Sequence, residues 1–312
     1  MARKIGVIGI GNVGSAIAHH IIVQGIADEL VLIDQDTAKV EADAMDFTDA
    51  LANLENHTKI IVNDFSALAD ADVVFSSIGN IQLANDNQTN DRFAELPYNS
   101  AAVREVAPKI KASGFNGVLI VITNPCDVIT ALYQKYTDLP KNQVIGTGTL
   151  LDSARMKRAV AGELKLDPRS VSGYNLGEHG NSQFTAWSTV RALGHSISEI
   201  APQKDISLST LDQVARDGGF VVLKGKHCTN YGISAAAVHL AKDIIGDAHS
   251  ELPVSNYRAE YATYLSYPAI IGKNGIEEKI QLDLTEDEKE KLQLSADFIK
   301  QKFAETIAQD QS

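Results

Sequence analysis

Residues 4–34 read KIGVIGIGNVGSAIAHHIIVQGIADELVLID, and this stretch decides the fold. The apolar run at 4–8 predicts a strand, the glycine turn GIGNVG at 9–14 opens a helix-like stretch, and LVLID at 30–34 predicts a second strand. A lone GxGxxG pattern is common by chance. Here it follows a strand, opens a helix and is answered by an acidic residue twenty positions later. The stretch therefore predicts a strand–helix–strand unit.

The glycine turn has the chemistry of a dinucleotide-binding site. Gly9 permits the tight turn, Gly11 lets the backbone approach a pyrophosphate, and Gly14 lets the helix pack closely on the strand. Asn12 and Val13 lie in the turn that opens the helix, whose unpaired N–H groups and dipole attract phosphate. A purely structural strand-to-helix turn is the alternative, and the surrounding pattern disfavours it.

Asp34 indicates which dinucleotide binds. It ends the second strand, where its carboxylate can accept both ribose hydroxyls and, with Asp36, would repel the 2′-phosphate of NADP. We therefore expect NAD. Gly79, which closes the apolar run DVVFSSIG at 72–79, is a further candidate for contact with the cofactor.

The rest of the chain predicts an α/β protein in two parts. Apolar runs at 60–62, 72–79, 117–125 and 143–149 alternate with helical stretches such as 101–112, which is typical of a doubly wound parallel sheet. We expect an N-terminal Rossmann domain at 1–146 and an α+β catalytic domain at 147–312. In the second part the patterns predict strands at 171–175 and 183–193, helices at 207–217 and 230–247, a hairpin at Asn274–Gly275, and a capped C-terminal helix after Thr285.

Composition limits the partners. The chain has 312 residues, 28 basic and 40 acidic, for a net charge of −12, which opposes binding to nucleic acid or to an anionic membrane surface. An anionic substrate must then be held by individually placed arginines. The two cysteines, Cys126 and Cys228, have no metal-binding spacing and suggest a reducing compartment, so we expect a cytoplasmic protein without a metal.

Three residues form a candidate reaction site. Asp152 and Arg155 in LDSAR lie three apart at a predicted helix start, and His179 lies between glycines in GEHGNSQ at 177–183. An aspartate there can be a helix cap, and a lone histidine is commonly structural. The flanking glycines favour the functional interpretation, because they free the backbone to point one imidazole into a cleft.

The chain resembles the L-lactate/malate dehydrogenase family over its whole length. Seven motifs occur in the family's order and spacing: GIGNVG, LVLID, DRF at 91–93, TNPCD at 123–127, GTGTLLDSAR at 146–155, GEHGNSQ, and LKGKHCT at 223–229. The resemblance implies an NAD-linked interconversion of a 2-oxo acid and its L-2-hydroxy acid.

The resemblance also implies catalytic roles for four matching positions. His179 would protonate the carbonyl oxygen as hydride arrives, and Asp152 would hold the other ring nitrogen and stabilise the imidazolium. Arg155 would bind the substrate carboxylate through two parallel hydrogen bonds. Arg92, at the end of a long loop, would close over the site and polarise the carbonyl.

Two further positions and the assembly follow from the same resemblance. Asn124 would hydrogen-bond near the reacting centre, in reach of both cofactor and substrate, and Thr229 would line the side-chain pocket. The partners implied are a small 2-oxo or 2-hydroxy acid and further copies of the chain, in a homotetramer or homodimer.

The expected substrate depends on departures from the family pattern. The loop between Gly79 and Arg92 is longer than usual, contains no Lys or Arg for a second carboxylate, and carries Asp86 and Asp91, which disfavours malate. Gly218 and Gly219 replace larger residues in the pocket wall. We therefore expect medium or branched aliphatic side chains, as in L-2-hydroxyisocaproate dehydrogenases; the alternative is a non-allosteric, pyruvate-specific L-lactate dehydrogenase in which the glycines serve a backbone turn.

Two other classes stay open at this point. An NAD-dependent glycosidase would share the Rossmann start but would need cysteine and histidine metal ligands, which Cys126 and Cys228 do not suggest. A non-catalytic NAD-binding protein would have no reason to keep Asp152, Arg155 and His179 together.

Overall fold

The computed structural model describes residues 2–85 and 93–309. In the first half the elements alternate as the sequence predicts. They are β1 (Lys4–Ile8), α1 (Asn12–Val23), β2 (Glu29–Ile33), α2 (Thr37–Leu51), β3 (Lys59–Val62), β4 (Val73–Ser76), α3 (Ile81–Asn85), α4 (Leu96–Ser113), β5 (Val118–Val121), α5 (Cys126–Thr137) and β6 (Val144–Gly146).

The six strands form a parallel sheet in the order β3-β2-β1-β4-β5-β6. This order confirms the predicted Rossmann fold. Because the strands are parallel, their carboxyl ends meet at one edge of the sheet. Gly9, Asp34, Gly79 and Asn124 each follow one of these ends, so the topology brings the candidate cofactor residues to that edge.

The sheet is buried on both faces, which explains its continuous apolar strands. Along β4, Val73 and Phe75 face one apolar cluster, and Val74 between them faces the other. The first cluster includes side chains of α1, α2 and a later helix at Tyr231–Ile245, and the second includes those of α4, α5 and the C-terminal helix at Glu286–Gln309. Side chains that alternate between two cores anchor each strand from both sides.

The second half contributes further helices and a different kind of sheet. Its elements are α6 (Leu150–Leu164), β7 (Asn175–Leu176), β8 (Phe184–Thr185), β9 (Arg191–Ala192), β10 (His195–Ser196), α7 (Ile197–Gln203), α8 (Leu208–Lys226), α9 (Tyr231–Ile245), β11 (Ser250–Arg258), β12 (Thr263–Gly272), β13 (Gly275–Lys279) and α10 (Glu286–Gln309).

The two halves share one sheet. Strands β11, β12 and β13 pair antiparallel and extend the parallel sheet beyond β6, so that nine strands run through both halves. Helix α9 also packs on α1, and α10 packs on α5. The division at 146 and 147 stays a prediction, because the halves are continuous in both sheet and core.

Several predicted elements of the second half are wrong in extent. The stretches 171–175 and 183–193 contain only the two-residue strands β7, β8 and β9, with a 3₁₀ turn at Trp187–Thr189. Helix α8 does not end at 217 but continues to Lys226. Short strands in irregular surroundings carry little periodic signal, and two consecutive glycines resemble a helix stop although the helix runs through them.

The predicted capping box of the C-terminal helix and the predicted hairpin are both confirmed. The backbone N–H of Thr285 donates to Glu288, and the N–H of Glu288 donates to Thr285 Oγ1, which is the capping box at the start of α10. A tight turn joins β12 to β13 with Gly275 at φ +88°. Among residues 2–85 and 93–309, no helix is long and apolar enough to cross a membrane.

Substituting Gly14 tests the contact that holds α1 on β1. A Cβ at Gly14 would lie 1.9 Å from the carbonyl oxygen of Gly9, so Gly14→Ala forces helix and strand apart. We expect it to lower the free energy of unfolding by about 1–3 kcal/mol in urea titrations, and to weaken NADH binding. Gly11→Ala is the matched control, because a Cβ there meets nothing within 4 Å. It should keep stability within about 1 kcal/mol yet still weaken NADH binding. Equal stability of the two variants would contradict the close-packing role of Gly14.

Candidate active site

The glycine turn at the carboxyl end of β1 is shaped by two close contacts. Gly9 adopts φ +88°, and a Cβ there would come within 2.7 Å of the backbone nitrogen of Ile78. Gly14 lies against the Gly9 carbonyl in the same way. Above Gly11, by contrast, there is open space. Two of the glycines thus serve packing, and the third leaves room for a ligand to reach the backbone.

Asp34 is tied to this turn through its carboxylate. Oδ2 accepts the backbone N–H of Ile10 at 2.6 Å, and Oδ1 accepts the N–H of Asp36 at 2.9 Å. A carboxylate has about four lone-pair positions, so both oxygens keep an acceptor position for ribose hydroxyls. The hydrogen bonds orient the carboxylate toward the strand ends where a nucleotide would lie.

These residues fit NAD. Helix α1 begins at Asn12 with Gly11 as N-cap and has no side-chain capping bond, so its first N–H groups are left for a pyrophosphate. Gly11 and Asn12 are exposed, and Val13 is half-buried. Gly79 lies just beyond β4, beside buried Asn99, whose amide Oδ1 would be 3.4 Å from a Cβ at Gly79.

The reaction site is built on the first turn of α6. Asp152 Oδ2 lies 2.7 Å from Nδ1 of His179, and Asp152 Oδ1 accepts a hydrogen bond from Nη1 of Arg155 at 3.1 Å. The spacing of three residues places Asp152 and Arg155 on one side of the helix, as the sequence predicts. One buried carboxylate therefore joins the imidazole to the guanidinium.

The pairing also assigns the ring nitrogens of His179. Because the Asp152 carboxylate only accepts hydrogen bonds, the Nδ1 atom of His179 must carry the proton that is donated to it. The Nε2 atom then remains to face a substrate. Among the described residues no hydrogen bond reaches Nε2. The side chains of His179 and Arg155 are 14% and 22% exposed, so both are accessible from one side while their partner is buried.

A tightly held loop between β7 and β8 positions His179. Gly177 adopts φ +90°, which favours glycine, and the Glu178 carboxylate accepts the N–H and Oγ–H of Ser182. The backbone N–H of Glu178 donates to Ser295 on α10 at 2.7 Å. A Cβ at Gly180 would lie 2.1 Å from the Glu178 carboxylate. The glycines around His179 thus serve a fixed loop rather than a flexible one.

Asp127 is a site residue that the sequence analysis did not single out. It lies in the first turn of α5 and accepts the backbone N–H of His179 at 2.8 Å through Oδ2, and the hydroxyl of Ser255 at 2.5 Å through Oδ1. Its only sequence signal was its place at the end of the motif TNPCD. Burial is the largest of the effects that raise the pKa of Asp127 to about 6.

Three buried carboxylates surround His179. Asp127, Asp152 and Glu178 are each at most 5% exposed, and Arg155 pairs with Asp152. Negative charge near an imidazole favours its protonated form. The buried carboxylates therefore place negative charge on several sides of the His179 loop.

Asn124 and Thr229 are both half-buried. Asn124 follows β5 and is half-buried, with its carbonyl oxygen accepting the amide of Asn99 at 2.7 Å. Thr229 is half-buried in the loop between α8 and α9. Among the described residues neither hydrogen-bonds to His179, Asp152 or Arg155. Arg92 lies outside the described residues, as do Asp86 and Asp91.

The two glycines of the predicted pocket wall have different surroundings. Both lie inside α8, so the alternative that they serve a backbone turn is wrong. A Cβ at Gly219 would lie 3.3–3.5 Å from the guanidinium of Arg155, whereas one at Gly218 would lie 2.1 Å from Nη2 of Arg158, an exposed side chain. Of the pair, Gly219 adjoins the site.

The two halves of the chain match two family models. Residues 3–146 match the lactate/malate dehydrogenase NAD-binding domain, and residues 149–309 match the lactate/malate dehydrogenase alpha/beta C-terminal domain. The chain belongs to the lactate/malate dehydrogenase family. It is an NAD-dependent oxidoreductase that acts on the CH–OH group of an L-2-hydroxy acid.

Three relatives of similar length are each named as an L-lactate dehydrogenase. The chain is 36% identical to L-lactate dehydrogenase 1 of Bifidobacterium longum over 308 residues, covering 96% of each chain. It is also 36% identical to L-lactate dehydrogenase 2 of Listeria monocytogenes over 305 residues, covering 96% and 97%. Among solved structures, the minor L-lactate dehydrogenase of Enterococcus mundtii in its ligands-bound form matches with a TM-score of 0.91 at 33% identity, covering 97% and 98%.

Membership in this dehydrogenase family excludes the two remote alternatives. The glycosidase would have needed reactive metal ligands, but Cys126 is fully buried and its burial raises the pKa of the thiol to about 12. A non-catalytic NAD-binding protein is excluded by the family's oxidoreductase chemistry.

Gly219→Ala tests whether this dehydrogenase uses Gly219 to leave room for Arg155. The added methyl group would displace the guanidinium by a few tenths of an ångström. We expect KM for 2-oxo acids to rise about threefold to tenfold with a smaller change in kcat, because a carboxylate clamp is sensitive to small displacements. Gly218→Ala is the control, since exposed Arg158 can move away, and its KM should match the wild type. Both variants should gain helix stability of about 0.5–1 kcal/mol. Equal KM values for the two variants would refute the role.

Proposed function

We propose that this dehydrogenase reduces pyruvate to L-lactate with NADH as hydride donor, and catalyses the reverse reaction with NAD. The arrangement of His179 and Arg155 around the buried carboxylate of Asp152 supports hydride and proton transfer to a 2-oxo acid. The names of the relatives support this substrate over the L-2-hydroxyisocaproate type that the sequence analysis favoured, which becomes the second candidate.

In the proposed mechanism each residue acts on a defined atom. Arg155 binds the substrate carboxylate with the guanidinium donors that Asp152 leaves free. NADH, when bound, supplies the hydride. His179 donates the proton on Nε2 to the carbonyl oxygen, and Asp152 stabilises the ring through Nδ1 without itself taking the proton.

Three further residues complete the proposed site. Arg92 closes over the substrate and polarises its carbonyl, so that turnover depends on loop movement. Asn124 hydrogen-bonds near the reacting centre, and Thr229 lines the side-chain pocket. These roles follow from the family resemblance, and the half-buried positions of Asn124 and Thr229 support them.

The second candidate is a preference for larger aliphatic 2-oxo acids. Gly219 favours it, because a wall residue without a Cβ adjoins the carboxylate-binding Arg155. Gly218 no longer supports it, since that position faces Arg158. The longer loop between Gly79 and Arg92 remains a sequence argument, and its lack of basic residues still disfavours oxaloacetate.

A substrate panel distinguishes the candidates. We expect kcat/KM to be highest for pyruvate among pyruvate, oxaloacetate, 2-oxoisocaproate and phenylpyruvate, and higher with NADH than with NADPH because Asp34 repels a 2′-phosphate. A higher value for 2-oxoisocaproate would establish the second candidate instead.

His179→Asn should lower kcat by about 10²–10⁴-fold while NADH binding, followed by fluorescence, is retained. Wild-type turnover in that variant would refute the assignment of His179.

We also propose that the enzyme is a homo-oligomer and acts in the cytoplasm. Helix α8 and the start of α9 carry exposed apolar side chains: Phe220 is 69% and Val221 71% exposed, and Leu223 and Tyr231 are exposed as well. Several exposed apolar side chains within a short stretch of chain are typical of an interface. The family implies a second copy of the chain as its partner.

Light scattering after size exclusion tests this interface. We expect a mass of two or four times the 33.6 kDa of one chain. The double variant Phe220→Asp, Val221→Asp should shift it toward the monomer, because charges would be buried without partners. Leu294→Asp is the control, since Leu294 is equally exposed on α10, far along the chain from this surface. A monomeric wild type would refute the proposal.

A further inference from the structure

Asp127 joins three parts of the chain at one buried point. It belongs to α5 of the first half, the N–H that it accepts belongs to His179 in the second half, and Ser255 belongs to β11 of the extended sheet. Its side chain is only 2% exposed. The position of the His179 backbone therefore depends on a residue 52 positions away in sequence.

His179 is consequently held at two separate points. Asp152 binds Nδ1 of the ring, and Asp127 binds the backbone N–H. Ring orientation alone does not place Nε2, because a shift of the backbone moves the whole imidazole. With both anchors in place, the donor atom of the proton transfer has a defined position relative to Arg155.

The hydrogen bonds at Asp127 favour an ionised carboxylate. Both of its oxygens receive donors, one N–H and one O–H, and a carboxylate can accept at both. The contacts thus favour the negative form at a site where burial opposes it.

The charge of Asp127 acts on a crowded set of groups. Those that face it are His179 and Glu178 from the His179 loop and the neighbouring thiol of Cys126, while Ser255 on β11 contributes an uncharged hydroxyl. Asp152 and Arg155 lie beyond the imidazole. Glu178 and burial act against ionisation, and the hydrogen bonds to Ser255 and His179 favour it.

We propose that Asp127 is a positioning residue whose ionised carboxylate fixes the backbone of His179 and whose charge favours the protonated imidazole. The inference rests on the proposed proton donation by His179. It gives the aspartate of TNPCD a task separate from the neighbouring Asn124. Asp127 touches neither substrate nor cofactor and acts through His179.

Two variants separate charge from shape. Asp127→Asn keeps the size and can keep both hydrogen bonds, since its Oδ1 can accept the His179 N–H and its amide can donate to Ser255, but it has no charge. Ser255→Ala keeps the charge and removes one hydrogen bond that favours the ionised form. The first variant tests the effect on His179, and the second tests the ionisation of Asp127.

The measurement is the pH profile of kcat/KM for 2-oxo-acid reduction, together with an NMR titration of His179 in enzyme labelled at histidine Cε1. For Asp127→Asn we expect the alkaline limb and the His179 titration midpoint to move down by about one pH unit, because a nearby negative charge is lost. For Ser255→Ala we expect wild-type activity at pH 8. The acid limb of its kcat/KM profile should lie at a higher pH than in the wild type, because Asp127 is protonated more easily without the Ser255 hydrogen bond.

The outcomes are distinct. Asp127→Asn with a uniform loss of activity at every pH and an unchanged His179 midpoint would overturn the inference and leave Asp127 a packing role. If Asp127→Asn does not fold, an acid limb of Ser255→Ala that superimposes on the wild type overturns it. If the wild type reduces no 2-oxo acid, the proposed function fails, and the NMR midpoint still decides whether the Asp127 charge acts on His179.

Discussion

The hydrogen bond between Asp152 and His179 is the interaction on which the site depends. It joins a helix start to a loop 27 residues later, and the same carboxylate holds Arg155. Because one buried group orients both the proton donor and the carboxylate clamp, the distance between them is set by the geometry of a single side chain. Reduction of a 2-oxo acid needs those two functions at a fixed separation.

That bond is useful only if the segments on either side stay in place. The loop of His179 is held by Asp127 on α5 and by Ser295 on α10. Both of these helices also pack on the central sheet. Helix α9 covers the other face beside α1. The catalytic half is therefore not a separate body attached to a nucleotide-binding half, because its helices complete the core of the parallel sheet.

The cofactor side depends on a different constraint, close backbone approach. Gly14 must lack a Cβ for α1 to reach β1, and that approach directs the open helix N-terminus at the sheet edge. Asp34 is then oriented by the backbone of Ile10 in the same turn. The local order of glycines and strands was enough to predict this, since the contacts between Gly14 and Gly9 and between Asp34 and Ile10 lie within one βαβ unit.

The sequence by itself determined the parallel sheet, the glycine turn with Asp34, the capped helix α10 and the placing of Asp152 and Arg155 on one side of a helix, because each depends on periodicity or on neighbours along the chain. Only the tertiary structure decided that α8 continues through its glycines, that Gly219 rather than Gly218 adjoins Arg155, and that Asp127 anchors His179. The rotation of a helix against its neighbour, and a hydrogen bond across 52 residues, are set by packing between elements, for which the local pattern carries no signal.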